Sequence, residues 1–481
     1  MIPHHHDHDH DGSSEPHTHL VSVGIDIGSS TSHLMFSRLL VGYPAFQRRR
    51  PEVLERRVIA RSPILLTPFS GDWNIEAGAL EALVSDTFRA AGLSRDQIDT
   101  GAVILTGEAA RRDNARKIAE LFSDRAGRFV CATAGPKLEA LLAAHGSGAV
   151  ERSREEGTAL LNIDLGGGTT KISLVERGKI QKTTALNIGA RLVAYDEKGR
   201  LTRLEAGGRR FLEDLGCKIE VGDRIGEEIL GHLASRMAAL LFDILQGGKA
   251  PWDDIFINSL MGKLPQVSGI LFSGGVAEYV YGRESAAFGD LGSLLGREVR
   301  AQAEKRGFRI LDSSEGIRAT VIGASQYSMQ LSGETIFVPE PASLPRRNLR
   351  IFVVPVDWEP PIAERAEKAV RTVLAGLDPE VRGTPFALVF RSPPFLGYNA
   401  AQELAAGIRA ALLPLPPQEW PQALLFEQNI GRVVGEILTP ELPIPCVDEV
   451  SLSELDFIDI GAVVAGESYV PVVVKSLAFG A

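Results

Sequence analysis

Two short stretches of the chain combine one carboxylate with glycines and hydroxyls where an apolar run ends. The first is "GIDIGSSTS" around Asp26, and the second is "NIDLGGGTTK" around Asp164. Glycines let backbone N–H groups approach an anion, hydroxyls add donors, and a carboxylate beside them can hold a cation. Phosphate with Mg²⁺ would satisfy both parts of this pattern. One such turn is equally typical of an ordinary hairpin, but two matched copies favour a phosphate site shared between them.

A third stretch, "ILFSGGVAE", is an apolar strand that breaks at Gly274 and Gly275. Two glycines at the carboxyl end of a strand let a flat base and a ribose lie against the backbone. By itself the stretch is as typical of a tight strand-to-helix turn. Its order after the two hairpins is what favours a nucleoside contact.

The elements around these stretches predict an α/β protein with two halves of the same layout. Each half is predicted to begin with a strand, a Gly-containing turn and a second strand, and helices are predicted over 75–91 and 224–242. The charged segment "ERSREEG" separates the halves, and a Pro-rich stretch after Leu331 is typical of a linker. The predicted domains are a disordered His/Asp-rich tail over 1–19, lobes over 20–150 and 151–331, a linker over 332–349, and a further α/β domain over 350–481.

Composition restricts the classes of partner. The net charge of −10 over 481 residues argues against nucleic acid or an anionic membrane as the main partner. The three cysteines, Cys131, Cys217 and Cys446, form no C-x-x-C pair, which argues against disulfide frameworks and Cys-based metal sites. No apolar run approaches the length of a spanning helix. We therefore expect a cytoplasmic protein.

The three stretches, in this order, resemble the phosphate 1, phosphate 2 and adenosine motifs of the actin-like ATPase superfamily. The resemblance also implies two helices that cross at a hinge between the lobes, matched here by "LTGEAARRDNA" and "ATVIGASQYS". It implies a fold of two pseudo-symmetric, ribonuclease H-like lobes that bind ATP or ADP with Mg²⁺.

Longer segments resemble the EutA family of ethanolamine utilisation proteins. They include "DTGAVILTGEAARRDNARKIAE", "ALLAAHGSGA", "FRSPPFLGYNAAQELAAGI" and the closing "DFIDIG" and "VPVVVKSLAF". The resemblance implies a reactivating factor that uses ATP to release damaged cobalamin from ethanolamine ammonia-lyase, so that intact adenosylcobalamin can enter. It also implies a cytoplasmic protein with a link to a bacterial microcompartment. Direct contact with cobalamin and a homo-oligomeric state are left open.

The superfamily pattern assigns roles to particular residues. Asp26 and Asp164 would orient water on Mg²⁺, and Asp164 and Glu108 are the candidate catalytic residues, with Glu108 as the base. The residues expected to contact the phosphates are Gly28, Ser29, Ser30, Thr31, Gly166, Gly167, Gly168, Thr169 and Thr170. The residues expected on the adenosine side are Gly274, Gly275 and Val276.

Several of these residues have ordinary structural explanations as well. Glu108 at a helix start is favoured by the helix dipole alone. Lys171 can reach a phosphate, but at its alternating position it more often points to solvent or to a neighbouring acid. His33, His145 and His232 are isolated in the sequence and are more typical of surface or partly buried histidines than of ligands.

Three other functions are compatible with the same motifs. A small-molecule kinase would need an acidic base in a substrate pocket, for which no further motif is present. A nucleotide-gated scaffold would bind ATP without significant hydrolysis. An activator of radical dehydratases would need cysteines for an iron–sulfur cluster, and the three isolated cysteines argue against it.

Overall fold

The structure is a computed structural model of the chain. The residues it describes are 18–28, 31–43, 51–68, 74–106, 114, 130–257, 264–313, 316–327, 329–333, 335–377, 384–391, 393, 396–450, 457–464 and 468–475.

Lobe I is built on a sheet with the strand order β3-β2-β1-β5-β6, to which β4 adds by pairing with β2. Its strands are β1 (Thr18–Ile27), β2 (Thr31–Gly42), β3 (Glu52–Arg61), β4 (Leu65–Leu66), β5 (Thr100–Leu105) and β6 (Val130–Ala134). Helix α1 (Ala77–Ala91) buries Leu80, Val84 and Phe88, spaced four residues apart, against one face of this sheet. The helix ends at Gly92, whose φ of 65° is the left-handed conformation that glycine adopts readily.

Two helices follow lobe I. Helix α2 (Pro136–Gly146) begins directly after β6, with proline at its first position. Helix α3 (Ala149–Glu156) contains most of the charged segment "ERSREEG". The segment that was predicted to separate the two halves is thus helical in the structure.

Lobe II repeats the sheet of lobe I with the order β13-β12-β7-β8-β9. Its strands are β7 (Ala159–Leu165), β8 (Thr170–Glu176), β9 (Lys179–Leu186), β12 (Gly269–Ser273) and β13 (Ile310–Leu311), with a separate ribbon of β10 (Val193–Tyr195) and β11 (Leu201–Leu204). Its helices are α4 (Ala206–Asp214), α5 (Glu227–Leu245), α6 (Ala277–Val280) and α7 (Gly292–Lys305). In each lobe an antiparallel hairpin is followed by a third antiparallel strand, and a later strand pairs in parallel with the first. The predicted pseudo-symmetry of the two lobes is confirmed.

Helix α8 (Ala319–Tyr327) crosses α2 at very short range. A Cβ added to Gly146 would lie 1.8 Å from the carbonyl oxygen of Ala319. On its other side α8 contacts β1, where a Cβ on Gly24 would lie 2.5 Å from the carbonyl oxygen of Val321. Helix α2 is therefore a helix that crosses α8. Most of the segment predicted for the crossing, 105–115, lies outside the described residues. In that segment Leu105 ends β5, and Thr106 and Asn114 are the other described residues.

The C-terminal domain has a sheet with the order β14-β20-β19-β15-β16-β17-β18. Its strands are β14 (Gln330–Leu331), β15 (Arg346–Val354), β16 (Phe386–Phe390), β17 (Ala423–Phe426), β18 (Cys446–Val447), β19 (Phe457–Ile460) and β20 (Pro471–Lys475). Helices α9 (Ile362–Ala375), α10 (Tyr398–Leu412) and α11 (Gly431–Leu438) cover one face of the sheet. Short 3-10 helices occur at Arg95–Gln97, Ala190–Leu192, Asp253–Ile255, Gly316–Arg318, Pro341–Ser343 and Pro417–Glu419.

The other face of the C-terminal sheet packs on lobe I and on the crossing helices. One buried cluster joins Leu138 and Leu142 of α2 and Ala324 of α8 to Val389 and Leu425 of the sheet. The segment 332–349, predicted as a linker, contains the beginning of β15, and its residue Phe337 forms a bridge with Cys446. The shared cluster of buried residues thus places the crossing helices in direct contact with the C-terminal sheet.

Candidate functional site

A cavity of about 330 Å³ lies between lobes I and II. Its walls come from the loops of both hairpins, from the loop after β12, and from helices α2 and α6. The predicted site residues that line it are Asp26, Gly28, Thr31, Asp164, Gly166, Gly167, Gly168, Thr169, Gly274, Gly275 and Val276. The predicted residues Ser29, Ser30 and Glu108 lie outside the described residues.

The two hairpin loops close in the same way. The Gly28 N–H donates to the Thr31 carbonyl at 2.9 Å, and the Gly166 N–H donates to the Thr169 carbonyl at 3.0 Å. Each loop thus follows its aspartate by two residues and spans the same number of positions. The repeated pattern seen in the sequence corresponds to a repeated backbone geometry.

The two adjacent threonines of the second loop have different surroundings. The Thr169 hydroxyl is buried, lines the cavity, and makes no hydrogen bond within the described part of the chain. Thr170 was predicted to contact phosphate, but its buried hydroxyl donates to the Ile188 carbonyl at 2.8 Å and holds β8 against the next segment. Thr169 therefore offers a free donor to a ligand in the cavity, and Thr170 does not.

The loop after β12 packs against the end of the first strand of the second hairpin and is hydrogen-bonded to it. Gly274 has a φ of +83°, and a Cβ there would lie 2.4 Å from the Leu165 carbonyl oxygen. The Val276 N–H donates to the same oxygen at 3.2 Å. Glycine is required at 274 by both its conformation and this close approach. Gly275 has open space on its Cβ side and lines the cavity.

Each hairpin aspartate accepts a hydrogen bond from a hydroxyl at the carboxyl end of the strand parallel to it, Ser273 being the last residue of β12 and Thr106 the residue directly after β5. Ser273 donates to Asp164 at 2.8 Å, and Thr106 donates to Asp26 at 3.3 Å. Both carboxylates are buried, at 3% and 8% exposure respectively. Burial, and then the charges of Glu139 and Asp164, raise the pKa of Asp26 to about 8. An additional cation beside these acids would be strongly attracted.

Glu139 is a site residue that the sequence did not indicate, and Lys171 is one whose position the sequence left undecided. Glu139 lies on α2, is 4% exposed and lines the cavity. It forms an ion pair with the Lys171 ammonium, whose Nζ also lies 3.8 Å from Oδ2 of Asp164. The Lys171 side chain contacts neighbouring acids and is not exposed to solvent, so the first of these two expected surroundings is the observed one. Burial lowers the pKa of Lys171, but the two carboxylates outweigh it, so the pKa is raised overall.

His33 also belongs to the site, although an ordinary histidine was the expectation. It is 2% exposed, lines the cavity, and its Nε2 lies 3.9 Å from Oδ2 of Asp26. Burial and the charge of Arg318 lower its pKa to about 4. Neither ring nitrogen makes a hydrogen bond within the described ranges.

Strand register explains the placement of both basic residues. In the first hairpin His33 pairs with Asp26, and in the second Lys171 pairs with Asp164. In both hairpins the basic residue follows the aspartate by seven positions, so the repeat itself was a signal that could have identified them. Glu139 had no such signal, because its position depends on where α2 packs.

Among the helices that the structure describes, none is both long and apolar enough to cross a bilayer. The duplicated strand order and the facing hairpins, with a glycine loop at the end of the second parallel strand, define a protein of the actin-like ATPase fold. The family model of ethanolamine utilisation protein EutA matches residues 18–480, and the chain belongs to that family.

Two curated relatives are similar over almost the whole chain. The ethanolamine ammonia-lyase reactivase EutA of Salmonella typhimurium (strain LT2) is 35% identical over 473 residues, covering 96% of this chain and 98% of the relative. The protein of the same name from Escherichia coli (strain K12) is 34% identical over 477 residues, with the same coverage of both chains. The match includes the C-terminal domain as well as the two lobes.

Solved structures show more distant similarity. The activator of the 2-hydroxyisocaproyl-CoA dehydratase from Clostridium difficile, with bound ADPNP, is 14% identical with a TM-score of 0.32, and the match covers 64% of this chain and 94% of that one. The ethanolamine utilization protein EutJ from Carboxydothermus hydrogenoformans is 13% identical with a TM-score of 0.34, covering 64% and 89%.

Proposed function

We propose that this chain is an ATP-dependent reactivating factor for ethanolamine ammonia-lyase, releasing damaged cobalamin so that intact adenosylcobalamin can bind. The observation that carries the proposal is the similarity to two reactivases over 96% of the chain, C-terminal domain included. The lyase is the proposed protein partner, and the bacterial cytoplasm or an associated microcompartment is the proposed location.

The cavity residues fit a nucleotide with Mg²⁺. The Thr169 hydroxyl has no partner in the described structure, and both hairpin loops present glycines where a phosphate oxygen would approach. Gly274, Gly275 and Val276 would lie along the nucleoside, while Ser29 and Ser30 remain proposed phosphate contacts. Among the described residues no group of three or more Asp, Glu, His or Cys side chains is arranged to hold a metal directly. Asp26 and Asp164 would therefore hold Mg²⁺ through its water molecules.

Mg²⁺ would neutralise charge on the phosphates, and the residues of this chain would orient the water that attacks. Glu139 is the acidic side chain that the structure places at the cavity on a crossing helix, so we propose it as the base that accepts a proton from that water. Glu108 is kept as the alternative base. Backbone N–H groups of the two loops would stabilise the charge that develops on the terminal phosphate.

Closure of the lobes would reach the C-terminal domain through the crossing helices. Helix α2 carries Glu139 at the cavity, while Leu138 and Leu142 of the same helix lie in the cluster with the C-terminal sheet. Helix α8 leads within a few residues into β14, which pairs with β20 of that sheet. A ligand that binds the closed lobes more tightly would therefore also shift the position of the C-terminal sheet.

The test mixes cobalamin-inactivated lyase, free adenosylcobalamin, Mg²⁺ and ATP with the native protein, with Asp164→Asn, or with Asp253→Asn, an exposed control. Recovery of lyase activity is expected with the native protein and the control, and not with Asp164→Asn. A non-hydrolysable ATP analogue in place of ATP separates hydrolysis from binding, because a nucleotide-gated scaffold would work with either. No recovery with the native protein would refute the proposed function.

A further inference from the structure

The side chain of Lys171 lines the cavity beside the loop of the second hairpin. Its exposed fraction is 4%, and a Cβ added to Gly166 of the second loop would be 3.8 Å from its Nζ. The ammonium is thus inside the cavity wall, directly beside the loop whose glycines are proposed to bind phosphate. The Lys171 ammonium also forms an ion pair with Glu139, the residue proposed as the base.

The ion pair between Lys171 and Glu139 has consequences for both partners. A buried lysine stays charged only where acids compensate for the loss of water, and Glu139 and Asp164 supply that compensation. In the same ion pair, one carboxylate oxygen of Glu139 is engaged by the Lys171 ammonium. A carboxylate engaged by a cation is a weaker proton acceptor than a free one.

We propose that Lys171 is a built-in counter-ion that holds Glu139 until the terminal phosphate of a nucleoside triphosphate replaces it. This inference rests on the proposed function, because it names what the ammonium binds in that same site. When a triphosphate enters, the ammonium transfers from the Glu139 carboxylate to a γ-phosphate oxygen, and Glu139, released from the ammonium, accepts a proton from water more readily. A diphosphate lacks that group and leaves the ion pair in place.

The flexible lysine stem makes this exchange physically simple. Four carbon–carbon bonds join the ammonium to the backbone of β8, and the three N–H donors have no fixed plane, so a change of partner needs no movement of the strand. A doubly charged terminal phosphate attracts the ammonium more strongly than one carboxylate does. Lys171 would therefore distinguish triphosphate from diphosphate by contact.

The experiment compares the dissociation constants of ATP and ADP, with Mg²⁺, for native protein and Lys171→Met. Lys171→Met is expected to weaken ATP binding by about 10-fold or more and ADP binding by no more than about 3-fold, since a charged hydrogen bond is lost with ATP alone. Lys179→Met serves as the control, because Lys179 is an exposed lysine on the neighbouring strand β9. The Lys179→Met variant should bind both nucleotides with the affinity of the native protein.

A second variant covers loss of folding. Lys171→Met removes the Lys171 ammonium from the buried Glu139, so the double variant Lys171→Met/Glu139→Gln, which has no charge at either position, is measured in parallel. It should show the same ATP-specific loss. Equal weakening of ATP and ADP, or a native ratio of the two in both variants, would overturn the inference while leaving the proposed function intact. If the native protein bound neither nucleotide, both the proposed function and this inference would be refuted.

Discussion

Gly323 of helix α8 lies against the backbone of Leu142 in helix α2, so closely that a Cβ at position 323 would be 2.2 Å from the Leu142 carbonyl oxygen. Together with the contact between Gly146 and Ala319, this brings the two helices together backbone to backbone. Since Leu142 itself packs against the C-terminal sheet, the crossing joins all three parts of the molecule.

Gly323→Ala should therefore separate the crossing helices. A backbone carbonyl cannot move aside as a side chain can, so we expect a loss of about 1–3 kcal/mol or more in the free energy of unfolding. Denaturant unfolding measures this loss. Gly231→Ala is the matched control, because Gly231 lies within α5 and has nothing within 4 Å of an added Cβ. It should stabilise the protein by about 0.5–1 kcal/mol, and equal behaviour of the two variants would contradict the close crossing.

Glu139→Gln should reduce ATP hydrolysis without abolishing nucleotide binding. Removal of a general base typically lowers kcat by about 10²–10⁴-fold, whereas the amide keeps the shape of the side chain. Steady-state phosphate release and nucleotide affinity measure the two effects. Glu108→Gln is the direct comparison, since it tests the base predicted from the sequence. A large loss of kcat in Glu108→Gln together with native turnover in Glu139→Gln would show that the roles are reversed.

Leu425→Ala should uncouple nucleotide binding from reactivation of the lyase. Leu425 is buried in the cluster that joins the C-terminal sheet to the crossing helices, while its neighbour Leu424 is equally buried against the helices on the opposite face. Both alanine variants should lose about 2–5 kcal/mol of stability. At a temperature where both are folded, only Leu425→Ala is expected to lose nucleotide-dependent recovery of the lyase. The same loss in Leu424→Ala would argue against a route through this interface.

Acid should destabilise the protein partly through His145. Burial, followed by the charges of Arg56 and Arg154, lowers the pKa of this histidine to about 4 from 6.5. Between these two values the unfolded state binds more protons than the folded state, so stability falls as the pH falls from about 6.5 to about 4. The full effect is roughly 3 kcal/mol.

The measurement is the free energy of unfolding at several pH values. His145→Gln should flatten the pH dependence, although the buried His33, whose pKa is also lowered to about 4, will retain part of it. The ring of His145 stacks on Tyr327 at 4.5 Å, so the variant should also be less stable at neutral pH. His232→Gln, at an exposed position, should keep the native pH dependence. If the free energy of unfolding of His145→Gln varied with pH as it does in the native protein, the contribution assigned to His145 would be wrong.

Local pattern predicted much of the fold, because the relevant interactions lie close together in the chain. The hairpins around Asp26 and Asp164 follow from alternating apolar residues on both sides of a glycine turn. Helix α1 was predicted over 75–91 and is observed at Ala77–Ala91, since its apolar spacing matches the helical period. The segment "ERSREEG" was predicted as the boundary between the two halves, and the structure adds that most of it is helical, since a charged surface helix and a charged loop have the same composition.

Two matched phosphate-type hairpins and a glycine loop could be predicted from the order of the residues alone, because each is a local arrangement of a few residues. The packing of whole elements was needed to show that Glu139 shares the cavity with Lys171, since α2 reaches the site by packing against α8 and the strands of lobe II. The structure also showed that α2 crosses α8, because the fit depends on two glycines, Gly146 and Gly323, that lie far apart in the chain. Contacts of this kind depend on the relative position of whole elements, which no local pattern encodes.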